Sequence, residues 1–262
     1  MTVNIPKANY RVEKDFLGEK RVPFNVYYGI QTCRALENFN ITSLRVNPRL
    51  FYSIAMIKKA AAHTNMIIKK LDSKIATAII QATDEILGGK LDNEFVVDPI
   101  QGGAGTSINM NVNEVIANRA IEILGGKRGD YTIVSPNTHV NMGQSTNDVL
   151  PTAFHITLLN IYPNLDNSPK EIGTASWRCV HPISFGAIFS SYTSALLRAN
   201  KFIKFAIEAL YEVNLGGTAI GTGLNASIEY RQLVIRKLTE ITGLPLRHAN
   251  SPVDSTQNID RL

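Results

Sequence analysis

The chain has 262 residues, of which 44% are hydrophobic, and it carries a formal charge of +5. This size and composition are typical of a soluble globular protein with one large domain or two small ones. No apolar run approaches the roughly 18 residues of a membrane span, and the first residues lack the apolar core of a secretory signal. The basic residues occur singly or in pairs, unlike the dense runs of nucleic-acid-binding proteins. We therefore expect neither membrane nor nucleic acid as a partner.

Cysteines and histidines give little sign of a metal or redox centre. Cys33 and Cys179 lie far apart with no metal-type spacing, which favours a reducing, cytoplasmic compartment and two inert thiols. No two of the five histidines have a ligand spacing on one helix, so a zinc site is not expected. His139 lies near the polar loop at 141–154 and is either a catalytic base or a structural bystander.

In chain order, the first 48 residues are punctuated by prolines and glycines and are predicted to be irregular. Apolar residues at spacings of three and four then predict helices. These helices are expected over 50–71, 73–87, 106–124, 187–213 and 227–242. Strand signals are thin and are limited to two short runs, 94–98 and 131–134.

The predicted fold class is mainly α. We expect an irregular or helical N-terminal domain over 1–144 and part of a long-helix bundle over 145–262. The strongest helical signal is an apolar seam at alternating spacings of three and four, which must be buried against other helices. Its members are Phe189, Tyr192, Leu196, Ala199, Ile203, Ala206, Leu210 and Val213.

The helix predicted at 106–124 has an unusual polar face. Thr106 or Ser107 is its expected N-cap. Asn109 and Asn113 lie four residues apart and so share one side of the helix. Asparagine is a mediocre helix former, so this face has either a polar role or exposure to solvent. Periodicity leaves both interpretations open.

Two polar loops, 101–111 and 141–154, each lead directly into a predicted helix. A helix N-terminus offers unpaired N–H groups and the positive end of a dipole, so it can hold an anion. Glycines allow close backbone approach, and hydroxyl and amide side chains add donors. Two such loops are suited to a small dicarboxylate. The simpler interpretation of each loop is helix capping, and neither contains a phosphate-binding motif.

Four long segments, in this order, resemble the aspartase/fumarase superfamily, and within it the aspartate ammonia-lyases. A weaker match lies at "SPVDSTQNIDRL" (251–262). The four segments are "VEKDFLGEKRVPFNVYYGIQTCRALENFNI" (12–41), "VDPIQGGAGTSINMNVNEVIANRAIEILG" (97–125), "HVNMGQSTNDVLPTAFHI" (139–156) and "EVNLGGTAIGTGLN" (212–225).

The resemblance implies a mainly helical, cytoplasmic homotetramer that needs no cofactor, although some members respond to divalent metal. The implied reaction is reversible deamination of L-aspartate to fumarate and ammonia through an aci-carboxylate intermediate. The alternative within the superfamily is a class II fumarase-like hydratase. An alternative of another class is a non-catalytic helical assembly protein.

The resemblance also implies roles for four residues. Thr106, Ser145 and Thr146 correspond to the residues that grip the carboxylate on which charge develops, and Asn147 to the one that helps hold the amino-bearing end. No metal ligand is implied. The family's serine base belongs to a Gly-Ser-Ser-x-x-x-Pro-x-Lys-x-Asn-Pro loop, which residues 1–262 lack. We expect that loop beyond Leu262, and therefore expect impaired activity from residues 1–262.

The segment 160–184 departs from the family. Its "GTASWRCVHP" (173–182) replaces Gly-Arg-Thr-His/Gln-x-Gln-x-Ala-x-Pro, with Ala175 where the threonine belongs. Three prolines in this segment also predict a break where the family has a continuous helix. Ser135 and Thr138 are further substitutions, in the family's secondary anion site.

Overall fold

The computed structural model describes residues 10–42, 44–176 and 185–258, and this part of the chain is mainly helical, as the sequence predicts. The strands are β1 (Tyr10–Asp15), β2 (Gly18–Pro23), β3 (Glu212–Val213) and β4 (Arg247–His248). The helices are α1 (Ile30–Asn38), α2 (Pro48–Ile67), α3 (Ser73–Leu87), α4 (Thr106–Ile123), α5 (Thr146–Ser176), α6 (Phe185–Leu210), α7 (Ile228–Thr242) and α8 (Pro252–Gln257).

Helix α2 lies at the centre of the core, packed against α3, α5 and α7. Its sequence is apolar around most of the helix, a pattern typical of a fully buried helix. Helix α3 is amphipathic and buries one face against α2 and α4, with Ala76, Ile79 and Ile86 fully buried. Asp72 caps α3 by accepting hydrogen bonds from the backbone N–H groups of two residues in its first turn.

The expectation of an irregular N-terminal region is wrong for residues 10–38. Strands β1 and β2 form an antiparallel hairpin in which Tyr10 pairs with Pro23 and Asp15 with Gly18, and helix α1 follows. The hairpin lacks the Asn-Gly turn that marks such structures in sequence. Gly18 supplies the required positive φ of 113° instead.

Other local expectations also change. Helix α4 is capped by Gly105, with a φ of 82° and no side-chain cap bond, rather than by Thr106 or Ser107. The runs 94–98 and 131–134 form no strands; they lie in extended, turn and 3-10 structure. The additional strand pair, β3 with β4, is parallel and joins the end of α6 to the segment after α7. That pairing is long-range, so the local sequence pattern does not predict it.

Helix α5 runs through Pro163 and Pro169 to Ser176, so the predicted break is wrong up to that residue. A proline removes one backbone hydrogen bond, but helix α6 packs alongside α5 and supports it. The rest of the segment, including Cys179 and His181, lies outside the described residues.

The seam of α6 is only partly buried within the chain. Its last members, Leu210 and Val213, are buried, whereas Tyr192 and Leu196 are 58% and 40% exposed. The side of α6 that packs within the chain includes Asn200 and Ile207 instead, and the hydroxyl of Tyr162 on α5 donates to Asn200 Oδ1 (3.3 Å). Much of the predicted packing face therefore points away from this chain's own core. None of the described helices is both long and apolar enough to cross a membrane.

Candidate functional site

The two polar loops come together at one cleft. Its volume is about 380 Å³, and it lies at the N-termini of α4 and α5, with the segment 218–225 as a further wall. Helix N-termini favour anions through their unpaired N–H groups and dipoles. The lining residues are Thr106, Asn109, Met110, Asn137, Asn141, Gly143, Gln144, Ser145, Thr146, Thr218, Ala219, Leu224 and Asn225.

Three of the four residues singled out from the sequence line this cleft: Thr106, Ser145 and Thr146. Asn147 does not line it. Its side chain is exposed, and its Nδ2 donates to the carbonyl of Ala219 at 2.7 Å. The structure therefore brings the first three together and places Asn147 on a neighbouring contact between α5 and the segment 216–225.

Each hydroxyl of the second loop accepts a hydrogen bond from the protein. Thr146 Oγ1 accepts a hydrogen bond from Asn109 Nδ2 (3.1 Å), and Ser145 Oγ accepts one from the backbone N–H of Asn147 (3.3 Å). A hydroxyl that accepts from the protein retains its own O–H for a ligand. Thr106 differs, because its O–H donates to the carbonyl of Gly103 at 2.7 Å. Ser145 and Thr146 can therefore donate to a ligand more readily than Thr106 can.

The asparagine face of α4 is buried, so the solvent-exposed interpretation is wrong. Asn109 and Asn113 are 1% and 0% exposed, and each donates through Nδ2 to Asn141 Oδ1, at 3.3 and 3.4 Å. The Oδ1 atoms of both residues have no hydrogen-bond partner in the structure. This face of α4 therefore supports the second loop through hydrogen bonds to Asn141.

Two buried ionisable residues next to the second loop were missed in the sequence. Lys58 on α2 is 0% exposed, and its Nζ donates to Asn141 Oδ1 (2.7 Å) and Gln144 Oε1 (3.0 Å). Burial lowers the pKa of Lys58 to about 7. The available signal was its position four residues after Ile54 and three before Ala61, on a helix with apolar residues on all sides.

Asp148 is the second of these residues and is also 0% exposed. Its carboxylate accepts from the backbone N–H groups of Ser145 (2.9 Å), Gly216 (3.0 Å) and Thr218 (2.9 Å). Burial raises the pKa of Asp148 to about 6, against the effect of these hydrogen bonds and of Lys58. Asp148 thus ties the second loop to the opposite wall of the cleft.

None of the described residues that line the cleft is a carboxylate, histidine, lysine or tyrosine. His139 lies outside the lining, and its Nδ1 accepts from the backbone N–H of Ser135 at 3.0 Å, which supports the bystander interpretation. Burial raises the pKa of the Cys33 thiol to about 11, which agrees with an inert thiol. In the described part of the chain, no group of three or more His, Cys, Asp or Glu side chains is arranged to hold a metal. The described lining of the cleft can donate hydrogen bonds to an anion but includes no titratable base.

Comparison with known proteins identifies a family and several similar proteins. A family model described as a lyase matches residues 18–168 and 178–262. The chain is 51% identical to aspartate ammonia-lyase of Bacillus subtilis over 271 aligned residues, covering 97% of this chain and 57% of the relative. It is 39% identical to aspartate ammonia-lyase of Escherichia coli, covering 95% of this chain and 56% of that protein. The chain thus spans somewhat more than half the length of these relatives.

Solved structures show the same likeness. A fumarate lyase:delta crystallin from Brucella melitensis, solved with cobalt bound, superposes with a TM-score of 0.89 at 39% identity; the match covers 97% of this chain and 59% of that one. A class II fumarase from Schistosoma mansoni superposes with a TM-score of 0.85 at 34% identity, over 94% of this chain and 59% of the other.

Proposed function

Because the chain belongs to this lyase family, the aspartase/fumarase superfamily, and is most like its aspartate ammonia-lyases, we propose that its cleft binds L-aspartate and fumarate. In this proposal the chain supplies the carboxylate-binding part of a site for reversible deamination of L-aspartate to fumarate and ammonia. The observation that carries the proposal is the pair of donor hydroxyls, Ser145 and Thr146, at the N-terminus of α5. A cytoplasmic location, expected from the sparse cysteines, belongs to the same proposal.

The chemistry of this reaction explains why neutral donors matter. A base removes a proton from the carbon next to one carboxylate, and that carboxylate becomes a dianionic aci-carboxylate. Ammonia then leaves from the neighbouring carbon. Preorganised hydrogen-bond donors stabilise the extra negative charge at the moment it develops. In this proposal Ser145 and Thr146 are two of these donors, and Thr106 on the opposite loop is a third.

The roles proposed for the four residues differ in their support. Ser145 and Thr146 have O–H groups available to a carboxylate, whereas Thr106 must first release the carbonyl of Gly103. Asn147 would hold the amino-bearing end only after releasing Ala219. We keep the proposed division into domains over 1–144 and 145–262, which places the cleft at their junction.

A purified sample of residues 1–262 should bind succinate, an unreactive dicarboxylate, but should not form fumarate from L-aspartate, since none of the described cleft residues is a base. Binding is measured by isothermal titration calorimetry and turnover by the absorbance of fumarate. Failure to bind succinate would contradict the proposed function. Robust turnover of L-aspartate would show that the chain contains a base that we have not identified. Turnover of L-malate in its place would favour the fumarase-like alternative.

We further propose that the chain forms homo-oligomers through the exposed apolar residues of α6. Phe202 and Phe205 are 78% and 85% exposed, and the seam residues Tyr192 and Leu196 are exposed as well. A soluble monomer rarely exposes this many large apolar side chains on one helix. Size-exclusion chromatography with light scattering should therefore give a mass above 28.9 kDa, and a Phe202→Ser, Phe205→Ser variant should shift toward that value. A well-behaved monomer of the unmodified chain would contradict this prediction.

A further inference from the structure

The turn at residues 141–144 determines where the donor hydroxyls stand. It is a tight turn, in which the N–H of Gln144 donates to the carbonyl of Asn141 at 3.1 Å. Asn141 Nδ2 donates back to the carbonyl of Gln144 at 3.2 Å. Ser145 and Thr146 follow directly in the chain. Any movement of this turn therefore moves both donor hydroxyls.

Lys58 reaches the same turn from the core. Its Nζ lies 2.7 Å from Asn141 Oδ1 and 3.0 Å from Gln144 Oε1, so one amine holds the first and last residues of the turn. It is the only fully buried lysine among the described residues, and it does not line the cleft. A buried polar group of this kind is costly unless its partners are in place. The arrangement therefore penalises any other position of the turn.

The number of N–H donors on a neutral Lys58 amine also equals the number of acceptor oxygens around it. A neutral lysine amine has two N–H donors, and the side chains of Asn141 and Gln144 supply two acceptor oxygens. Because burial lowers the pKa of Lys58 to about 7, the neutral form predominates above that pH. Asp148 of α5 is the charged group that acts on Lys58, and the amides of Asn109 and Asn113 face the same oxygen of Asn141 from α4.

We propose that Lys58 is a positioning residue for the carboxylate site: it fixes the turn 141–144 and so aims the hydroxyls of Ser145 and Thr146 into the cleft. The consequence for binding rests on the proposed function, whereas the effect on the turn does not. A loop that carries binding groups needs this kind of support, because small misplacements weaken directed hydrogen bonds.

The test replaces Lys58 by methionine, which has similar length and no donor. The matched control is Lys59→Met, because the neighbouring Lys59 forms an ion pair with the exposed Asp84 and not with the turn. Hydrogen–deuterium exchange should speed up about tenfold at the N–H groups of Gln144 and Ser145 in Lys58→Met. Exchange within α3 should not change. The affinity for succinate should fall about tenfold, and the Lys59→Met variant should behave as the unmodified chain in both measurements.

A second variant, Lys58→Gln, restores an N–H donor and should recover part of the exchange protection and part of the affinity. It also replaces Lys58→Met as the test if the methionine variant does not fold. Unchanged exchange at Gln144 and Ser145 in a folded variant would overturn the proposal, and so would loss of folding in both variants, since Lys58 would then support the whole core. If the unmodified chain binds no succinate but exchange responds as expected, the proposed function fails and the positioning role stands.

A pH series gives an independent readout. The pKa of Lys58 is lower in the folded chain than its ordinary value of 10.5. Its contribution to stability is therefore fully present above about pH 10.5 and is lost as the pH falls through about 7. The stability of the unmodified chain relative to Lys58→Met should rise between pH 6 and pH 9. A constant difference over that range would contradict a buried, titrating amine at this position.

Discussion

Replacement of Glu114 by leucine should lower the free energy of unfolding by about 4 kcal/mol. Glu114 on α4 is 0% exposed and accepts hydrogen bonds from the backbone N–H groups of Gly29 (2.9 Å), Gln31 (2.7 Å) and Thr32 (3.0 Å). The hydroxyl of Thr32 is a fourth donor, at 2.7 Å. Leucine has similar volume but no acceptor, so it leaves the first N–H groups of helix α1 buried without partners.

Urea denaturation followed by circular dichroism measures this loss, with Glu240→Leu as the matched control. Glu240 is also on a helix, but its side chain is 62% exposed and forms an ion pair with Lys237. Its replacement should change the free energy of unfolding by no more than about 0.5 kcal/mol. A loss below about 1 kcal/mol for Glu114→Leu would show that the N-terminal segment is not anchored by this carboxylate.

Removal of both donor hydroxyls, in a Ser145→Ala, Thr146→Val variant, should weaken succinate binding about 100-fold. Each hydroxyl donates to a charged carboxylate in the proposed complex, and such bonds are stronger than neutral ones. The backbone N–H groups at the start of α5 remain, so binding is weakened rather than abolished. Calorimetric titration of the variant and the unmodified chain at equal ionic strength measures the ratio.

Two controls separate this effect from general damage. Thr77→Val removes an exposed hydroxyl on α3 that donates to the carbonyl of Ser73, and it should leave the affinity unchanged. Asn147→Ala should also have little effect on succinate, which lacks an amino group. Equal affinity of the double variant and the unmodified chain would exclude these hydroxyls from the carboxylate site.

Sequence patterns predicted the elements whose cause is local. Helix α3 has the predicted bounds, 73–87, because an Asp72 cap, regular apolar spacing and a Gly88-Gly89 stop all lie within the segment. Helix α7 follows the same logic, with Ser227 as its N-cap and Gly243, at a φ of 69°, as its stop. In each case the residues that begin and end the helix are directly adjacent to it in the chain.

Sequence patterns did not predict the structure where contacts between residues far apart in the chain determine it. The hairpin of β1 and β2 is tied to the rest of the molecule by Glu13, whose carboxylate accepts from the N–H of Ile30 and the hydroxyl of Tyr131. Its sequence contains too few apolar residues to predict a strand. Similarly, the face that α6 buries within this chain is decided by α5, not by the most regular apolar seam.

The sequence by itself determined the fold class and the family, because these depend on motifs that are contiguous in the chain. The same motifs pointed to Thr106, Ser145 and Thr146 as candidate site residues, and these three line one cleft. Only the tertiary structure decided which polar groups support them. Lys58 lies 83 residues from Asn141, and the N–H groups of Gly216 and Thr218 lie 68 and 70 residues from Asp148. A lone lysine or aspartate in a sequence is most often a surface residue. It becomes a buried support only when the fold brings acceptors or donors to it.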